Sequence, residues 1–569
     1  MGIRHAKWRG RSVVTAAVLL AGMSAAPVAQ GAGGDLSQKP PPIGCVGPAF
    51  GACTAAGPIL GGHDVLVGPD GENVYLTSSG SDSLTTFDRE SNGGLTQKDG
   101  GEGCINNGVS GDCEVGVGLN GANGIAISPD GASVYVAAFT GDSIAVFDRD
   151  PATGVLEQKT GLDACVSEDG TGGACENGIA MDGVADLAVS PDGRHVYAVA
   201  SASSAVTIFD RDTSGTATHG ALSQKTGSAA CTSEAPVAGA SCVDAKALVG
   251  PTAVVMSADG ANLYVTSASS DAIAVLDRDP ATGEIAQKPG QLGCISESGT
   301  GGACQDGTEI GNADIALSPD QGSIYTAAIN DAIAILDRST TTGRLTQKPG
   351  AAGCISETGT GALCQDGFLL DAADGLTVSP DGTSVYVASQ LSDAVTRFAR
   401  SANGGLIQRT GAGACVSETG SGGLCADGVA LDAVTAAAVD PQGTAVFAPG
   451  VGGTVAILDI EPAAAPEPPA PQAPAAADTA APDTAITAGP KKKELKKKAT
   501  FEFTSTEPGS TFQCKLDDGG FEACTSPEEV KAGKGKHTFE VRARDGAGNV
   551  DPTPAVRKWT VKKKKKKPA

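Results

Sequence analysis

The chain of 569 residues repeats one pattern seven times, and this repeat limits the possible folds more than any other feature. Each copy reads as an apolar strand, an S-P-D-G turn, a V-Y-V strand, an A-V-F-D-R strand, a short turn, an L-x-Q-K strand and a loop between two cysteines. The six tyrosines of the chain all occupy the V-Y-V slot, and a phenylalanine takes it in the seventh copy: Tyr75, Tyr135, Tyr197, Tyr264, Tyr325, Tyr386 and Phe447. Four strand-like runs recurring every 59 to 66 residues predict a repeat protein built from small antiparallel sheets.

The repeat is out of phase with the chain ends. An L-x-Q-K strand at residues 36–39 precedes the first complete copy, and none follows the seventh A-I-L-D strand, which ends at Asp459. Four antiparallel strands per unit, repeated radially, are typical of a β-propeller, and a closed ring needs such an overlap. The sequence therefore predicts an all-β fold with a seven-bladed propeller over residues 33–460, closed by pairing residues 35–39 beside residues 454–459. An open solenoid of the same units is the alternative, and it would not need the shifted strand.

The S-P-D-G-x-x-V-Y-V and I-A-V-F-D-R strings resemble those of the YVTN-type and lactonase-like seven-bladed propellers. The resemblance covers about residues 35–460. It implies the propeller fold but says little about activity, because propellers of this superfamily include enzymes, binding modules and surface proteins.

The first 32 residues have the pattern of a secretory signal peptide. Arg4, Lys7, Arg9 and Arg11 form a basic region, residues 13–20 are apolar, and residues 25–32 are mostly small. A membrane anchor is the alternative, but a span needs about 18 or more apolar residues. We therefore expect a protein that is secreted or held at the cell surface and has no transmembrane span.

The 16 cysteines fall into eight close pairs, one for each copy and one near the C-terminus. Zinc sites favour closer C-x2–4-C spacings with further Cys or His ligands, so local disulfides in an oxidising compartment are the better interpretation. The predicted pairs are Cys45 with Cys53, Cys104 with Cys113, Cys165 with Cys175, Cys231 with Cys242, Cys294 with Cys304, Cys354 with Cys364, Cys415 with Cys425, and Cys514 with Cys524.

The C-terminal part of the chain differs in composition from the repeat. Residues 461–482 are rich in Ala and Pro and predict an extended linker. Residues 483–562 alternate polar and apolar positions, as in A-T-F-E-F-T-S-T-E-P-G-S-T-F-Q-C, which predicts a small antiparallel sandwich. This segment resembles an immunoglobulin-like (Ig-like) module appended to many exported bacterial proteins. In that family the module is a spacer or adhesion unit, without catalytic residues.

Two lysine runs accompany the Ig-like segment: Lys491 to Lys498, interrupted by Glu494 and Leu495, lies within it, and Lys562 to Lys567 lies at its end. They fit a solvated loop and a disordered tail at residues 563–569, or they attach the protein to an anionic polymer of the cell envelope. The chain as a whole has a formal charge of −24, yet residues 481–569 hold 20 Lys and Arg against 12 Asp and Glu. The rest of the chain therefore carries −32, and such an acidic body argues against nucleic acid as a partner.

Few residues of the predicted propeller carry obvious chemistry. Among its histidines, His195 and His219 are expected on the face opposite the cysteine loops, so that only His63, beside Asp64, can approach the channel mouth on the loop face. Acidic residues at the start of other inner strands could bind a cation in the channel, or they are merely solvated: Asp186, Asp314 and Asp374, with Asn123 and Asn312 nearby.

These observations predict a non-enzymatic propeller, a monomer without a cofactor, that binds an extracellular protein or glycan or acts in the cell envelope. The alternative is a lactonase-like hydrolase with its site at the channel mouth around His63 and Asp64. Phosphorylated lactones are disfavoured because Lys246 is the single lysine expected near the centre, and phosphate recognition needs several cations.

Overall fold

The computed structural model describes residues 34–48, 52–108, 111–297, 299–357, 359–418, 420–462 and 478–562. The chain divides into two compact units, the first ending at residue 465 and the second beginning at residue 466. The predicted signal peptide, most of the predicted linker and the C-terminal tail at residues 563–569 lie outside the described residues. No helix in the described part of the chain has the length and hydropathy of a transmembrane span.

The described residues of the first unit form seven six-stranded sheets, which we number in the order of their innermost strands. The innermost strands are Gly62–Val67, Ala122–Ile127, Val184–Val189, Pro251–Met256, Ile315–Leu317, Ala373–Val378 and Ala438–Val439. The second strands are Asn73–Ser78, Ser133–Ala138, His195–Ala200, Asn262–Ser267, Ser323–Ala328, Ser384–Ser389 and Ala445–Gly450. The third strands are Ser83–Arg89, Ser143–Arg149, Ala205–Arg211, Ala272–Arg278, Ala332–Arg338, Ala394–Arg400 and Thr454–Ile460.

The outer half of each sheet differs from the expected four-stranded unit. The L-x-Q-K strand and a strand that starts at the first cysteine both pair with the third strand, one after the other, and a two-residue parallel strand follows. The L-x-Q-K strands are Leu36–Gln38, Leu95–Gln97, Leu156–Gln158, Leu222–Gln224, Ile285–Gln287, Leu345–Gln347 and Leu406–Gln408. The cysteine strands are Cys45–Gly47, Cys104–Asn106, Cys165–Ser167, Cys231–Ser233, Cys294–Ser296, Cys354–Ser356 and Cys415–Ser417. The outermost strands are Thr54–Ala55, Glu114–Val115, Glu176–Asn177, Val243–Asp244, Gln305–Asp306, Gln365–Asp366 and Ala426–Asp427.

Short 3-10 turns fill the cysteine segments, and the described chain contains no α-helix. They are Gly100–Glu102, Gly161–Ala164, Gly170–Gly173, Gly227–Ala230, Gly290–Gly293, Gly299–Gly302, Gly350–Gly353, Gly359–Ala362, Ala412–Ala414 and Gly420–Gly423. All eight disulfides join the cysteine pairs that the sequence predicts. Each of the first seven ties the first residue of a cysteine strand to the residue just before the outermost strand, so the cysteine loops are held on the sheet edges. The disulfides also indicate that the protein folds outside the reducing cytosol.

The sheets pack face to face because their second and third strands are apolar on both sides. Every residue of the second strand Ser133–Ala138 is buried, and apolar clusters are shared between consecutive sheets. The S-P-D-G turn that precedes this strand is a tight hairpin in which Asp130 accepts a hydrogen bond from the backbone N–H of Ala132. Gly131 supplies the positive φ of 70° that such a turn requires. Repeated radial packing of this kind fits a β-propeller.

The ends of the repeat meet as the phase shift predicts. Leu36 pairs with Ile460, and Gln38 pairs with Leu458, so the N-terminal strand belongs to sheet 7. Lys39 forms an ion pair with Asp459 across the same strands. Sheet 7 also shares an apolar cluster with sheet 1, which includes Phe447. The prediction that residues 35–39 lie beside residues 454–459 is confirmed.

A buried arginine links most neighbouring sheets on the side of the S-P-D-G turns. In sheet 4, Arg278 donates from Nε to the hydroxyl of Tyr197 in sheet 3 at 2.7 Å, and its Nη2 contacts Asp192 at 2.8 Å. The Tyr197 hydroxyl in turn donates to the carbonyl of Gly283 at 2.7 Å. The same arginine–tyrosine contact recurs in Arg149 with Tyr75, Arg211 with Tyr135, Arg338 with Tyr264, and Arg400 with Tyr325.

The second unit consists of two small sheets around one core. A three-stranded sheet contains Thr484–Ala488, Lys498–Ser505 and Glu528–Lys531; a five-stranded sheet contains Lys493–Glu494, Ala555–Val561, Gly535–Arg544, Thr511–Leu516 and Glu522–Cys524. Phe501 of the three-stranded sheet stacks on Phe539 of the five-stranded sheet, with ring centroids 4.0 Å apart. Trp559 contacts the Phe501 ring edge-on. This is the small sandwich that the alternation predicts, while its assignment to the Ig-like family stays a prediction.

Candidate functional site

A polar cavity of about 110 Å³ lies at the N-terminal ends of the innermost strands, where the chain enters them from the preceding cysteine segment. Each of the seven sheets contributes two consecutive residues to its wall. They are His63 and Asp64, Asn123 and Gly124, Ala185 and Asp186, Thr252 and Ala253, Ala313 and Asp314, Asp374 and Gly375, and Thr435 and Ala436. The cavity therefore collects the five candidate residues His63, Asp64, Asp186, Asp314 and Asp374, as well as Asn123.

Three of the four aspartates are held in place by the backbone of two sheets. Asp64, Asp186 and Asp314 occupy the second lining position in sheets 1, 3 and 5, and each accepts a hydrogen bond at 2.7 Å from the next N–H of its own strand. The second oxygen of each carboxylate accepts from the following sheet: Asp64 from Ile125 at 3.2 Å, Asp186 from Val254 at 2.8 Å, and Asp314 from Leu376 at 2.8 Å. These side chains bridge sheet 1 to 2, sheet 3 to 4 and sheet 5 to 6.

The other junctions of the inner ring use hydroxyl groups or glycine. Thr252 donates to the carbonyl of Asn312 at 2.8 Å, which joins sheet 4 to 5, and Thr435 donates to the carbonyl of Gly62 at 3.0 Å, which joins sheet 7 to 1. At the two remaining junctions the strands approach so closely that only glycine fits. A Cβ on Gly124 would lie 2.8 Å from Asp186 Cα, and one on Gly375 would lie 2.5 Å from Ala436 Cα.

Burial in this cavity shifts all four carboxyl groups toward the protonated form. It raises the pKa of Asp64 and of Asp374 to about 6 and that of Asp314 to about 7. Burial, with the negative charges of Asp64 and Asp314, raises the pKa of Asp186 to about 8. The backbone N–H donors oppose this shift, but desolvation is the larger effect. At neutral pH the ring therefore holds both neutral and ionised carboxyl groups.

Asp374 and His63 differ from the bridging aspartates, because no donor or acceptor among the described residues makes a hydrogen bond to either side chain. Burial alone raises the pKa of Asp374. Burial lowers the pKa of His63 to about 4, so the imidazole is neutral at pH 7. Asp64 turns its carboxylate to the backbone instead of the neighbouring imidazole, so the structure holds no His63–Asp64 hydrogen bond that would orient a catalytic histidine.

The remaining polar candidates lie away from the cavity. His195 contacts Arg278 at 2.7 Å and His219 contacts Asp130 at 3.2 Å, both on the side of the S-P-D-G turns, as expected from the sequence. Asn312 does not line the cavity with its side chain, and its amide donates to Asp271 at 3.1 Å. Lys246 was expected near the centre, but it is not among the lining residues. It lies in the cysteine segment of sheet 3, where it is half-exposed beside Asp244.

Oxygen-rich groups that could hold a metal ion are sparse in the described part of the chain. The carboxylates of Asp186, Asp314 and Asp374 do not bring three oxygens within 4.8 Å of one another, whereas those of Asp478, Glu507 and Asp545 in the second unit do. The Asp545 carboxylate already accepts hydrogen bonds from the backbone N–H groups of Gly548 and Asn549, and these bonds stabilise the turn that it begins. The cation hypothesis for the channel stays a prediction.

No protein-family model and no curated protein matches this sequence. Among solved structures, the periplasmic gluconolactonase of Pseudomonas aeruginosa is similar at 17% identity and a TM-score of 0.40, over 60% of this chain and 82% of that chain. Hydrazine synthase of Kuenenia stuttgartiensis is similar at 15% identity and a TM-score of 0.41, over 71% of this chain and 97% of that chain. Likenesses this remote do not indicate what the chain acts on.

Proposed function

We propose that the protein is an exported seven-bladed β-propeller, followed by an Ig-like module, that hydrolyses small uncharged lactones or esters in the central cavity. The observation that carries this proposal is the Asp374 carboxylate, which faces the cavity without a hydrogen-bond partner among the described residues and whose pKa of about 6 suits a base at neutral pH. A carboxylate that served only the fold would be expected to have backbone partners, as Asp64, Asp186 and Asp314 do.

The different pKa values of the ring supply both roles that hydrolysis needs. The ionised Asp374 carboxylate takes a proton from a water molecule as that water attacks the carbonyl carbon. The neutral carboxyl of Asp186, with a pKa of about 8, gives its proton to the alkoxide that leaves when the C–O bond breaks. Asp374 then releases its proton to water and Asp186 takes one from water, which restores the starting state, and the net reaction adds one water to one ester bond.

The charge of the wall restricts the substrate. The cavity lining contains four aspartates and no lysine or arginine. A phosphate or carboxylate on the substrate would meet negative charge without a compensating cation, so anionic lactones are disfavoured. Neutral His63 and Asn123 remain available to donate hydrogen bonds to an uncharged ester.

Turnover of a panel of uncharged lactones, followed by proton release, tests the proposal. We expect activity to rise as Asp374 ionises around pH 6 and to fall as Asp186 loses its proton around pH 8. Asp374→Asn should lower kcat by about 100-fold or more, the usual contribution of a general base. Asp182→Asn, an exposed carboxyl outside the cavity, is the matched control. Full activity in Asp374→Asn would overturn the assignment.

A second candidate is a non-enzymatic protein that is held in the cell envelope, and one feature of the second unit favours it. Lys493 and Glu494 of the first lysine run pair in parallel with Thr560 and Val561, and the N–H of Lys562 donates to the carbonyl of Glu494. Lys562, where the second run starts, therefore lies beside the first run at one sheet edge, and the described lysines there form a cationic patch. Such a patch suits an anionic polymer of the envelope.

Sedimentation with an anionic cell-wall polymer tests this candidate. We expect the full-length chain to bind and to be released by salt on the order of 0.5 M, because screening weakens exposed charge pairs. Replacing Lys491, Lys492 and Lys493 with glutamine should reduce binding several-fold, whereas the same change at Lys246, Lys288 and Lys348 of the first unit, which removes the same charge, is the matched control. Equal binding by the two triple variants would contradict the candidate.

A further inference from the structure

The mouth of the cavity is bordered by large apolar side chains that are exposed to solvent. We call these six residues the collar: Leu60, Phe139, Val249, Ile329, Leu391 and Val451, exposed by 59, 43, 39, 57, 66 and 43%. They come from six of the seven sheets: Leu60 and Val249 lie just before an innermost strand, and the other four lie in the turn after a second strand. In sheets 3, 6 and 7 the position before the innermost strand holds an exposed aspartate instead: Asp182, Asp371 and Asp432. Exposed apolar residues that occur singly are common, but a set repeated around one opening marks a binding surface.

Backbone contacts attach the collar to the cavity wall. The N–H of Phe139 donates to the carbonyl of Gly121 at 2.9 Å, two residues before Asn123 of the wall. The N–H of Leu391 donates to Asp371 at 3.2 Å, three residues before Asp374. In the same way Val451 bonds Ala433 at 3.1 Å, and Leu60 and Val249 precede His63 and Thr252 by three residues. Ile329 follows Ala327 by two residues, and the N–H of Ala327 donates to the carbonyl of Asp314 of the wall at 3.0 Å, so all six collar residues adjoin the wall.

Sheet 3 contributes no large apolar residue at this level, since Ser201 and Ala202 occupy the corresponding turn. The Phe139 ring of sheet 2 leans toward this position. A Cβ placed on Gly183 of sheet 3 would lie 3.4 Å from the Phe139 Cε2 atom. The aromatic ring thus extends the apolar border across the one sheet that lacks its own side chain.

We propose that the ligand of this site is amphiphilic, an uncharged ester or lactone whose polar head enters the cavity and whose apolar chain lies against the collar. This inference rests on the proposed function and specifies its substrate class. The acidic wall without cations selects an uncharged head, and the collar supplies apolar surface that a small sugar lactone would leave in contact with water. Covering apolar surface on both partners favours the longer chain.

A series of γ-lactones that differ only in chain length tests the inference: γ-butyrolactone, γ-octalactone, γ-decalactone and γ-dodecalactone. For hydrolysis by the intact protein, we expect kcat/KM to rise about twofold for each added methylene, less than the roughly fourfold of complete burial. For binding to Asp374→Asn, measured by calorimetry, we expect the dissociation constant to fall by the same factor. Dodecanoate, an anion with the same number of carbons as γ-dodecalactone, should bind at least tenfold more weakly.

Two isoleucines provide a matched pair of variants. Ile329 in the collar and Ile407 on an outer strand are both 57% exposed, so Ile329→Ser and Ile407→Ser remove the same exposed side chain. We expect Ile329→Ser to flatten the dependence on chain length and Ile407→Ser to preserve it. The thermal midpoint of both variants, measured beside the wild type, verifies that the fold is retained.

The results separate this inference from the proposed function. Hydrolysis of γ-butyrolactone and γ-decalactone with equal kcat/KM would overturn the amphiphilic ligand and leave the hydrolase standing. Binding that strengthens with chain length in the absence of any turnover would overturn the hydrolase and support the amphiphilic ligand. Equal effects of the two isoleucine variants would assign the apolar binding to another surface and overturn the role of the collar.

Discussion

Each bridging aspartate of the inner ring satisfies two backbone N–H groups and also carries a titratable proton. The N–H donors favour the ionised carboxylate, whereas the enclosed cavity favours the neutral acid, and the raised pKa values show that the cavity has the larger effect. An aspartate of the unfolded chain has a pKa of about 3.9. These carboxyl groups therefore bind more protons in the folded state than in the unfolded state between about pH 4 and 8, and their contribution to stability falls as the pH rises through this window. His63, whose pKa is lowered to about 4, opposes them in the lower part of the window.

Asp374→Asn should separate stability from activity. The substitution keeps the size of the side chain, loses no hydrogen bond among the described residues and removes one titrating group. The wild-type pKa of about 6 lies roughly two units above that of the unfolded chain, so the variant should gain about 1–3 kcal/mol at pH 8 and almost nothing at pH 4. Urea unfolding at both pH values measures this. A variant that is less stable than the wild type at pH 8 would show that Asp374 contributes to the fold.

Gly124→Ala should destabilise the ring at the junction of sheets 2 and 3. Its Cβ would meet Asp186 Cα at 2.8 Å and the Ala185 carbonyl oxygen at 2.9 Å, and both belong to backbone that cannot rotate away. We expect a loss of about 1–3 kcal/mol in the free energy of unfolding. Gly215→Ala, where a Cβ meets nothing within 4 Å, is the control and should change it by less than about 0.5 kcal/mol.

At the scale of elements, the third strand contributes both to the apolar core and to the polar contacts between sheets. Its A-V-F part fills the core between sheets, and its terminal arginine reaches back to the tyrosine and turn aspartate of the preceding sheet. The junction of sheets 7 and 1 lacks a tyrosine, because Phe447 takes that slot, and Arg89 binds Asp440 at 2.6 Å and Thr444 at 2.8 Å instead. The junction of sheets 6 and 7 has Ile460 in the arginine position, and Arg397 binds Asp35 of the N-terminal segment at 2.6 Å.

Tyr197→Phe should show the strength of this inter-sheet contact. The hydroxyl accepts from Arg278, which is 6% exposed, and its removal leaves the Nε of a buried cation without that acceptor. We expect a cost of about 1–3 kcal/mol. Tyr386→Phe is the control: that hydroxyl donates to the Gly34 carbonyl at 3.1 Å, and its loss should cost about 1 kcal/mol. Chemical unfolding of both variants gives the comparison, and equal costs would rule out the arginine contact as the cause.

At the scale of the molecule, the seven copies and their displaced strand were sufficient to predict an all-β repeat of small sheets and the pairing of the N-terminal strand with the last strand of the unit. The candidate residues were found because they fall at the start of inner strands. The sequence did not predict how these residues are arranged. Each of the three bridging carboxylates accepts its second hydrogen bond from the following sheet, and such contacts depend on how closely two strands approach. When the seven copies are aligned, Asp64, Gly124 and Asp186 occupy the same position. This alignment indicates that bridging aspartates and glycine alternate from sheet to sheet, which no single motif shows. The split outer strand was missed because its two halves are only three residues each.

Leu36→Ala should weaken the closure of the ring more than an equal change within one sheet. Leu36 and Leu406 occupy the same slot and are both 2% exposed, so each alanine variant should lose about 2–4 kcal/mol of core packing. The strand of Leu36 is joined to sheet 7 only by pairing and side-chain contacts, whereas Leu406 follows its partner strand directly in the chain. We expect limited proteolysis near residues 36–39 in Leu36→Ala and none near residues 406–408 in Leu406→Ala. Equal protection of the two strands would contradict a weaker closure.

The pairing of Leu36 with Ile460 also sets the order of events when the chain folds. The first strand of the unit to be synthesised must wait for its partner, which is made more than 420 residues later. Bringing such distant residues together has an entropic cost that grows with separation, so this pairing is expected among the last steps. Most of the sheets can form locally while the chain emerges, but the unit becomes resistant to unfolding only when its two ends meet. The unit thus stays incompletely folded until nearly all of it has been synthesised.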